Sequence, residues 1–225
     1  MAIIKLDVLG SVNIGNYAVS TNKYLVVTGE ATDEKISRIS EVLNVKPIKV
    51  VIRDCRITAP FFVGNKNGLL VSSFVDEETV QTIKEELRAE GVEVDVVDVK
   101  YTAIGNLVLA NDHGAVASPL LPQKIHEEVS EALDVEVGVE TIGKALYIGS
   151  LGVVNNYGGL VSPFAGADEI KILEDVLNVE VIRGTINSGI QFIPSGLIAN
   201  DHGAVVGKIT DGSELMRISQ ALKVI

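Results

Sequence analysis

The hexapeptide Asn111-Asp112-His113-Gly114-Ala115-Val116 returns unchanged at Asn200 to Val205, a shift from 111 to 200 of 89 residues. Related segments begin at Asn65 and Asn155, and a weaker one begins at Thr21. The five starting positions, 21, 65, 111, 155 and 200, are 44 to 46 residues apart. Self-similarity at such a fixed period is typical of propellers and solenoids. The sequence therefore predicts five tandem repeats of about 45 residues.

A helical pattern recurs with the same period. Apolar residues at spacings of i, i+3 and i+7 end, repeat by repeat, in Leu43, Leu87, Leu133, Leu177 and Leu222. So narrow an apolar stripe is typical of a helix that covers a sheet with one face. Residues able to cap a helix N-terminus precede four of the patterns, and a proline suits the first turn of the third helix: Thr32-Asp33, Asp76, Asp168, Ser213 and Pro122.

Runs rich in β-formers flank each predicted helix. In the third repeat they cover 104–110, 115–118 and, after the helix, 135–142, so each repeat is predicted as strand, strand, helix, strand. The fifth repeat ends without its last strand, and the run 3–9 can fill that place. The sequence predicts an α/β fold, one five-bladed pseudo-fivefold α/β propeller domain over residues 1–225. Pairing of the N-terminal strand with the last repeat is predicted to close the ring.

Composition narrows the class of protein. Hydrophobic residues make up 47% of the chain, enough for a large core, and the single Cys55 excludes an internal disulfide framework. No run of 18 apolar residues occurs, so we expect a protein of the cytoplasm without membrane contact. The formal net charge of −11 opposes extensive contact with nucleic-acid phosphates and favours basic proteins as partners.

Several segments, in order along the whole chain, resemble the translation initiation factor 6 family. These segments are 14–17, 55–57, 63–71, 103–106, 158–163, 184–189 and 196–201. The resemblance implies the pentein fold, a five-bladed α/β propeller. It also implies a factor that binds the large ribosomal subunit, blocks joining of the small one and acts late in large-subunit maturation. The chain ends at its fifth helix, as in the shorter archaeal members. We expect a monomer without a cofactor.

Small and amide residues precede each predicted first strand: Gly15-Asn16, Ala59-Pro60, Gly105-Asn106, Gly149-Ser150 and Ser195-Gly196. Pseudo-symmetry predicts that these pairs share one end of the propeller and form a polar surface of low relief. In the family resemblance, positions matching Asn106 and its neighbours face the large subunit, mainly its proteins. The candidate ribosome-binding residues are Asn16, Pro60, Gly105, Asn106, Ser150 and Leu151. The alternative is that these residues only form turns that lead into strands.

The main alternative function is that of the guanidino-modifying penteins, amidinotransferases and deiminases, which use a cysteine nucleophile. Those enzymes carry it in the final repeat, whereas Cys55 lies in the predicted strand run 50–57. We therefore predict a protein without catalytic residues. A scaffold ring with an unrelated protein partner is a third possibility.

Two Asp-His pairs and one further histidine are the other candidates for chemistry. Asp112-His113 and Asp201-His202 occupy a position that holds other polar turn formers in the sister repeats, which favours turns over a metal site. His126 replaces an apolar residue of the helical stripe and is predicted to pack in the structure, unless Ile125 takes the inward place. No phosphate loop or dinucleotide motif occurs in the sequence.

Overall fold

The computed structural model of the protein describes residues 3–224; Met1, Ala2 and Ile225, which the predicted domain includes, lie outside the described residues. Its strands form five three-stranded sheets. Four sheets follow the chain: β2 (Ala18–Ser20), β3 (Tyr24–Thr28) and β4 (Lys46–Val50); β5 (Phe62–Gly64), β6 (Gly68–Ser72) and β7 (Glu93–Val97); β8 (Val108–Ala110), β9 (Gly114–Ala117) and β10 (Glu136–Val139); β11 (Gly152–Val154), β12 (Gly159–Val161) and β13 (Val181–Arg183). The fifth sheet combines both ends of the chain: β14 (Leu197–Ala199), β15 (Ala204–Gly207) and β1 (Ile3–Leu6).

Each sheet has a first, a middle and a last strand. The first strand is antiparallel to the middle strand, and the last strand is parallel to the middle one. A helix connects the middle and last strands of four sheets: α1 (Asp33–Leu43), α2 (Glu77–Arg88), α3 (Gln123–Leu133) and α4 (Ala167–Leu177). In the fifth sheet, α6 (Gly212–Leu222) follows the middle strand β15, and the single turn α5 (Ile193–Gly196) precedes β14. The predicted order of strand, strand, helix, strand is confirmed, as is the α/β propeller. Within residues 3–224 no helix is long and apolar enough to cross a membrane.

The first and the last repeat share the fifth sheet. Strand β1 pairs in parallel with β15, from Ile3 opposite Ala204 to Leu6 opposite Gly207. This confirms the predicted closure of the ring. The strand is shorter than the predicted run 3–9, because Leu9 and Gly10 adopt positive φ angles of 53° and 77° in a tight turn.

The core consists of five clusters, one between each pair of neighbouring sheets. In one of them Ile36, Ile39 and Leu43 of α1 pack against Val27 of the first repeat and Val205 of the fifth. Each helix thus fills the space between its own sheet and the preceding one. The narrow apolar stripe predicted from the sequence is the face of the helix that packs against both sheets.

The helix starts differ from the prediction at two helices. Asp76 caps α2 as predicted, since its carboxylate accepts a hydrogen bond from the Thr79 backbone N–H at 3.0 Å. Gly166 and Asp211 take the cap positions of α4 and α6, so the assignments to Asp168 and Ser213 are wrong. Both helices begin earlier, and both residues already lie in the first turn, where the backbone is helical and a cap cannot form. Thr32 and Pro122 also occupy cap positions, without a side-chain hydrogen bond.

Two predicted strand runs are interrupted. Ile104–Asn106, assigned to a strand, forms a 3-10 turn before β8. Of the predicted run 50–57, only Val50 belongs to a strand, the end of β4. A tight turn with a bridge between Ile52 and Cys55 follows. Asp54 in this turn has a φ of 59°, which ends the extended backbone there. Strand alternation therefore says nothing about where Cys55 points.

In four of the repeats a buried asparagine forms hydrogen bonds with the backbone of the next repeat. Asn65 donates its side-chain amide to the carbonyls of Asn111 (3.2 Å) and Leu133 (2.8 Å). Asn111, Asn155 and Asn200 repeat this pair of bonds around the ring. The buried carbonyls at the end of the following helix are thereby paired, as buried backbone groups must be. This explains why the repeated hexapeptide begins with asparagine.

Candidate functional site

Strand directions decide which loops meet at each end of the ring. The turns before the first strands lie at the same end as the loops that follow the middle and last strands. We call this end the rim, and we call the opposite end, with the turns 21–23, 65–67, 111–113, 155–157 and 200–202, the far end. Five short turns surround the centre of the rim: Ile14–Asn16, Ala59–Phe61, Ile104–Asn106, Ile148–Ser150 and Ile193–Gly196.

Most of the candidate residues lie together at the rim. A central cavity of about 660 Å³ has five of them in its lining: Asn16, Pro60, Gly105, Asn106 and Ser150. Leu151 is buried, with 5% of its surface exposed, and packs beneath the rim with Ile148. In the fifth repeat the equivalent pair is Pro194-Ser195, one residue before the predicted pair, and Gly196 is buried.

Glycine at the rim is required by how closely neighbouring turns approach. A Cβ atom added to Gly105 would lie 2.5 Å from the carbonyl oxygen of Phe62. A Cβ atom on Gly149 would lie 2.2 Å from the carbonyl oxygen of Gly105. Both distances are too short for any side chain, so each turn rests directly on the backbone of the turn before it. The rim is therefore a continuous ring of contacting backbone.

Exposed apolar side chains surround this ring of small residues. Tyr147 and Phe192 directly precede two of the turns and are each 51% exposed. Phe74 and Phe164 follow middle strands at equivalent positions, and Phe164 is 63% exposed. The prediction of a polar surface of low relief did not include these aromatic side chains. The sequence signal was an aromatic residue five positions before a first strand, at Tyr147 and Phe192, where a turn normally carries polar residues.

Serine hydroxyls fix the backbone of the two aromatic residues. Ser150 donates to the carbonyl of Tyr147 at 2.8 Å, and Ser195 donates to the carbonyl of Phe192 at 2.7 Å. Local bonds of this kind hold a turn in one conformation. Tyr147 and Phe192 are thus presented to solvent by an ordered backbone.

The cavity extends from the rim between the five first strands. Each first strand pairs on one side only, so alternate backbone N–H and C=O groups face the cavity, for example those of Ala18 and Ser20. The residues in its described lining are uncharged. Such a cavity suits water or an uncharged group, and its lining supplies no carboxylate to bind a guanidinium.

Polar side chains close the cavity at the far end. The amide of Asn156 donates to the carboxylates of Asp112 (2.6 Å) and Asp201 (2.8 Å), and the amide of Asn22 donates to the same two carboxylates at 3.2 Å and 2.8 Å. Sequence spacing had kept Asp112 and Asp201 apart, since two repeats separate them. The ring brings them to one hydrogen-bonded network across its axis. Their histidine neighbours, His113 and His202, are exposed.

Two glutamates support the rim from the helix N-termini. Glu169 accepts hydrogen bonds from the backbone of Gly143 (2.8 Å) and Lys144 (3.1 Å), and Glu214 accepts from Ser188 (2.9 Å) and Gly189 (2.9 Å). Burial raises the pKa of each carboxyl, but the N–H and hydroxyl donors outweigh it and lower the pKa overall. Both glutamates are ionised at neutral pH. Sequence reasoning did not single them out.

The remaining candidates for chemistry are dispersed. Cys55 is half-buried in its turn, and its thiol donates to the carbonyl of Ile57 at 3.5 Å. His126 and Ile125 are both buried in α3, so both residues, and not only one of them, face inward. The His126 Nε2 lies 3.3 Å from the Ser118 carbonyl oxygen. Across residues 3–224, no three His, Cys, Asp or Glu side chains are grouped so that they could hold a metal ion.

Two solved structures of the same fold are enzymes with low sequence identity to this chain. One is a dimethylarginine dimethylaminohydrolase adduct with S-methyl-L-thiocitrulline, at a TM-score of 0.52 and 13% identity, covering 76% of this chain and 68% of that one. Another is the N-terminal domain of the arginine dihydrolase ArgZ bound to substrate, at a TM-score of 0.51 and 14% identity, covering 85% and 78%. At such identities the likeness establishes the pentein fold alone.

Relatives of higher identity have one shared name. Translation initiation factor 6 of Pyrococcus furiosus is 38% identical over 224 residues, covering 99% of both chains. Translation initiation factor 6 of Aeropyrum pernix is 41% identical over 221 residues, covering 97% of this chain and 94% of the relative. The model of the eIF-6 family matches residues 3–221. The chain therefore belongs to the eIF-6 family of translation initiation factors and not to the enzymes that share its fold.

Proposed function

We propose that this protein binds the large ribosomal subunit through the rim and thereby blocks joining of the small subunit. The proposal rests on family membership together with one observation of the structure. Exposed aromatic side chains, Tyr147, Phe164 and Phe192, stand beside an uncharged ring of small residues at one end of the propeller. Exposed aromatic clusters beside small polar residues are typical of protein interfaces.

The mechanism is steric occlusion. A factor that covers the joining face needs affinity and bulk, and it needs neither a reacting group nor turnover. The backbone contacts at Gly105 and Gly149 make the rim a preformed surface, which lowers the entropy that docking would otherwise cost. The protein acts as a monomer in the cytoplasm, without a cofactor, and also in late maturation of the large subunit.

Charge favours ribosomal proteins over rRNA as the main contact. The net charge of −11 repels phosphates at long range. At the rim end, Arg56 is paired with Glu30 at 2.8 Å, which leaves less positive charge for a phosphate. We infer that the contact with rRNA is limited and that basic ribosomal proteins meet the rim, where complementary charge speeds association.

The direct test is co-sedimentation of the pure protein with separated ribosomal subunits, followed by a joining assay. We expect binding to the large subunit and inhibition of joining. The double variant Tyr147→Ala/Phe192→Ala should weaken binding at least about tenfold, because exposed aromatic anchors dominate interface energies. Tyr157→Ala is the matched control, since Tyr157 is 53% exposed at the far end. Equal binding by the double variant and the control would contradict the rim as the interface.

A further inference from the structure

Two neighbouring rim turns each present two exposed apolar side chains to solvent. The turn after β10 leads to Leu146 and Tyr147, and the turn after β13 leads to Ile190 and Phe192. We call them the Tyr147 turn (142–147) and the Phe192 turn (186–192). In both turns the apolar side chains are exposed to solvent, while the backbone forms hydrogen bonds with the rest of the protein.

Each of the two turns includes residues other than glycine at positive φ, a conformation that a side chain disfavours. In the Tyr147 turn, Gly143 and Lys144 have φ angles of 58° and 64°. In the Phe192 turn, Asn187, Ser188 and Gly189 have φ angles of 52°, 63° and 105°. Residues with a side chain rarely adopt positive φ, and runs of them persist only where surrounding groups hold them. Surrounding groups that contact Lys144, Asn187 and Ser188 stabilise each turn in this conformation.

The holding group of the Tyr147 turn is one carboxylate. Glu169 accepts bonds from the N–H groups of Gly143 and Lys144 and from the hydroxyl of Thr141 at 2.8 Å. It also accepts from the Gly166 N–H at 2.6 Å, a bond typical of a capping box. Two of its four bonds therefore go to the turn, one to the residue directly before the turn and one to the helix N-terminus.

Glu214 repeats this arrangement in the next repeat. It accepts bonds from the N–H groups of Ser188 and Gly189, from the hydroxyl of Thr185 at 2.7 Å and from the Asp211 N–H at 2.9 Å. Glu214 is buried. The same division holds, with two bonds to the turn, one to the residue directly before it and one to the helix N-terminus.

The arrangement is confined to the two repeats that carry Tyr147 and Phe192. The same helix position holds Lys35, Thr79 and Ile125 in the other three repeats. Lys35 pairs with Asp7, and Thr79 donates one bond to the Val51 carbonyl at 3.3 Å. Capping alone does not explain this difference, because all five helices need a cap.

We propose that Glu169 and Glu214 are positioning residues of the rim, each holding the turn that presents two apolar side chains to the partner. The inference rests on the proposed function for the identity of that partner. The partner surface that fits is apolar and belongs to a protein, since Leu146, Tyr147, Ile190 and Phe192 offer no charge. If a turn loses its bonds to the glutamate, its apolar side chains stay exposed but become disordered. Ordering them again on docking costs conformational entropy, which weakens the affinity for the partner.

The first experiment tests the holding role on the isolated protein by amide hydrogen exchange. Glu214→Gln should speed exchange at Ser188 and Gly189 at least about tenfold, since an amide NH₂ would face backbone donors. Thr185→Val removes one bond and should have a smaller effect in the same direction, which covers the case that Glu214→Gln folds poorly. Asp168→Asn, an exposed carboxylate in the first turn of α4, is the control. Unchanged exchange in both Glu214→Gln and Thr185→Val would overturn the holding role.

The second experiment separates positioning from stability by measuring large-subunit affinity. Glu214→Gln should weaken binding about tenfold in the wild-type background and have little effect once Ile190 and Phe192 are alanine, because residues that act through one another are not additive. Equal losses in both backgrounds would show a general effect on stability and overturn the proposal. If the wild-type protein fails to bind the large subunit, the proposed function fails, while the exchange experiment still decides whether the glutamates hold the turns.

Discussion

Asn200 of the last repeat donates its side-chain amide to the carbonyl oxygen of Thr21 in the first repeat, at 3.0 Å. A second bond from the same amide reaches the carbonyl of Leu43 at 2.7 Å, at the end of α1. Side-chain hydrogen bonds thus join the end of the repeat series to its beginning at the far end of the ring. Strand β1 does the same through the fifth sheet.

Asn200→Ala should therefore cost stability out of proportion to its size. The Leu43 carbonyl loses its side-chain donor, the N–H groups of His202 and Gly203 lose their acceptor, and each unpaired buried group costs about 1–3 kcal/mol. We expect a loss of at least about 2 kcal/mol in the free energy of unfolding, measured by urea denaturation. Gln123→Ala removes an exposed amide and should stay within about 0.5 kcal/mol of wild type. Equal midpoints for the two variants would contradict a structural role for the asparagine bonds.

Deletion of residues 1–9 should abolish cooperative unfolding or cause aggregation. The deletion removes β1 and leaves β15 with an unpaired edge, which invites association with other chains. Thermal unfolding and light scattering measure the outcome. A circular permutant that joins residue 225 to residue 1 and opens the chain at the exposed Glu90-Gly91 turn keeps every strand and should fold. A truncated protein that melts like the full chain would show that β1 is dispensable.

Cys55→Ser, His113→Ala and His202→Ala should each leave subunit anti-association intact. Cys55 lies at the rim end, whereas both histidines lie at the opposite, far end. Removing a catalytic nucleophile or base would cost orders of magnitude in activity. Joining assays beside melting curves measure the effect. Abolished function in a normally folded Cys55→Ser protein would favour a chemical mechanism instead.

The salt dependence of large-subunit binding should be shallow. The slope of log affinity against log salt approaches one unit per phosphate neutralised, so limited rRNA contact predicts a magnitude of about two or less. Titrations between low and physiological salt measure this slope. A magnitude of roughly six or more would indicate extensive rRNA contact and would contradict binding mainly to proteins.

The repeat architecture could be predicted because the same physical demand recurs five times. Every repeat needs an apolar stripe such as Ile36, Ile39 and Leu43 to fill the space between two sheets. The buried asparagine is the first residue of the repeated hexapeptide. The missing last strand of the fifth repeat also indicated how the ring closes. These features follow from local pattern and counting alone.

The details of the rim were less accessible from sequence. The helical caps at Gly166 and Asp211 each lie two residues before the predicted ones, because several polar residues compete for the same place. The contacts of Glu169 and Glu214 join residues 25 or more positions apart, such as Glu214 and Gly189. The Asp112 and Asp201 network depends on the diameter of the ring. Such relations are set by tertiary packing, and no local pattern reports them.

The central claim is that the rim is the surface that binds the large subunit, and Asn106→Arg tests it most directly. Asn106 lines the mouth of the cavity, and arginine there adds bulk and positive charge toward a basic partner. Gln81→Arg makes the same change on the exposed face of α2. We predict that Asn106→Arg weakens large-subunit binding by at least about 1–2 kcal/mol, with an unchanged melting temperature, while Gln81→Arg binds like wild type. Wild-type affinity for Asn106→Arg together with weakened binding by Gln81→Arg would place the interface on the helices and contradict the account.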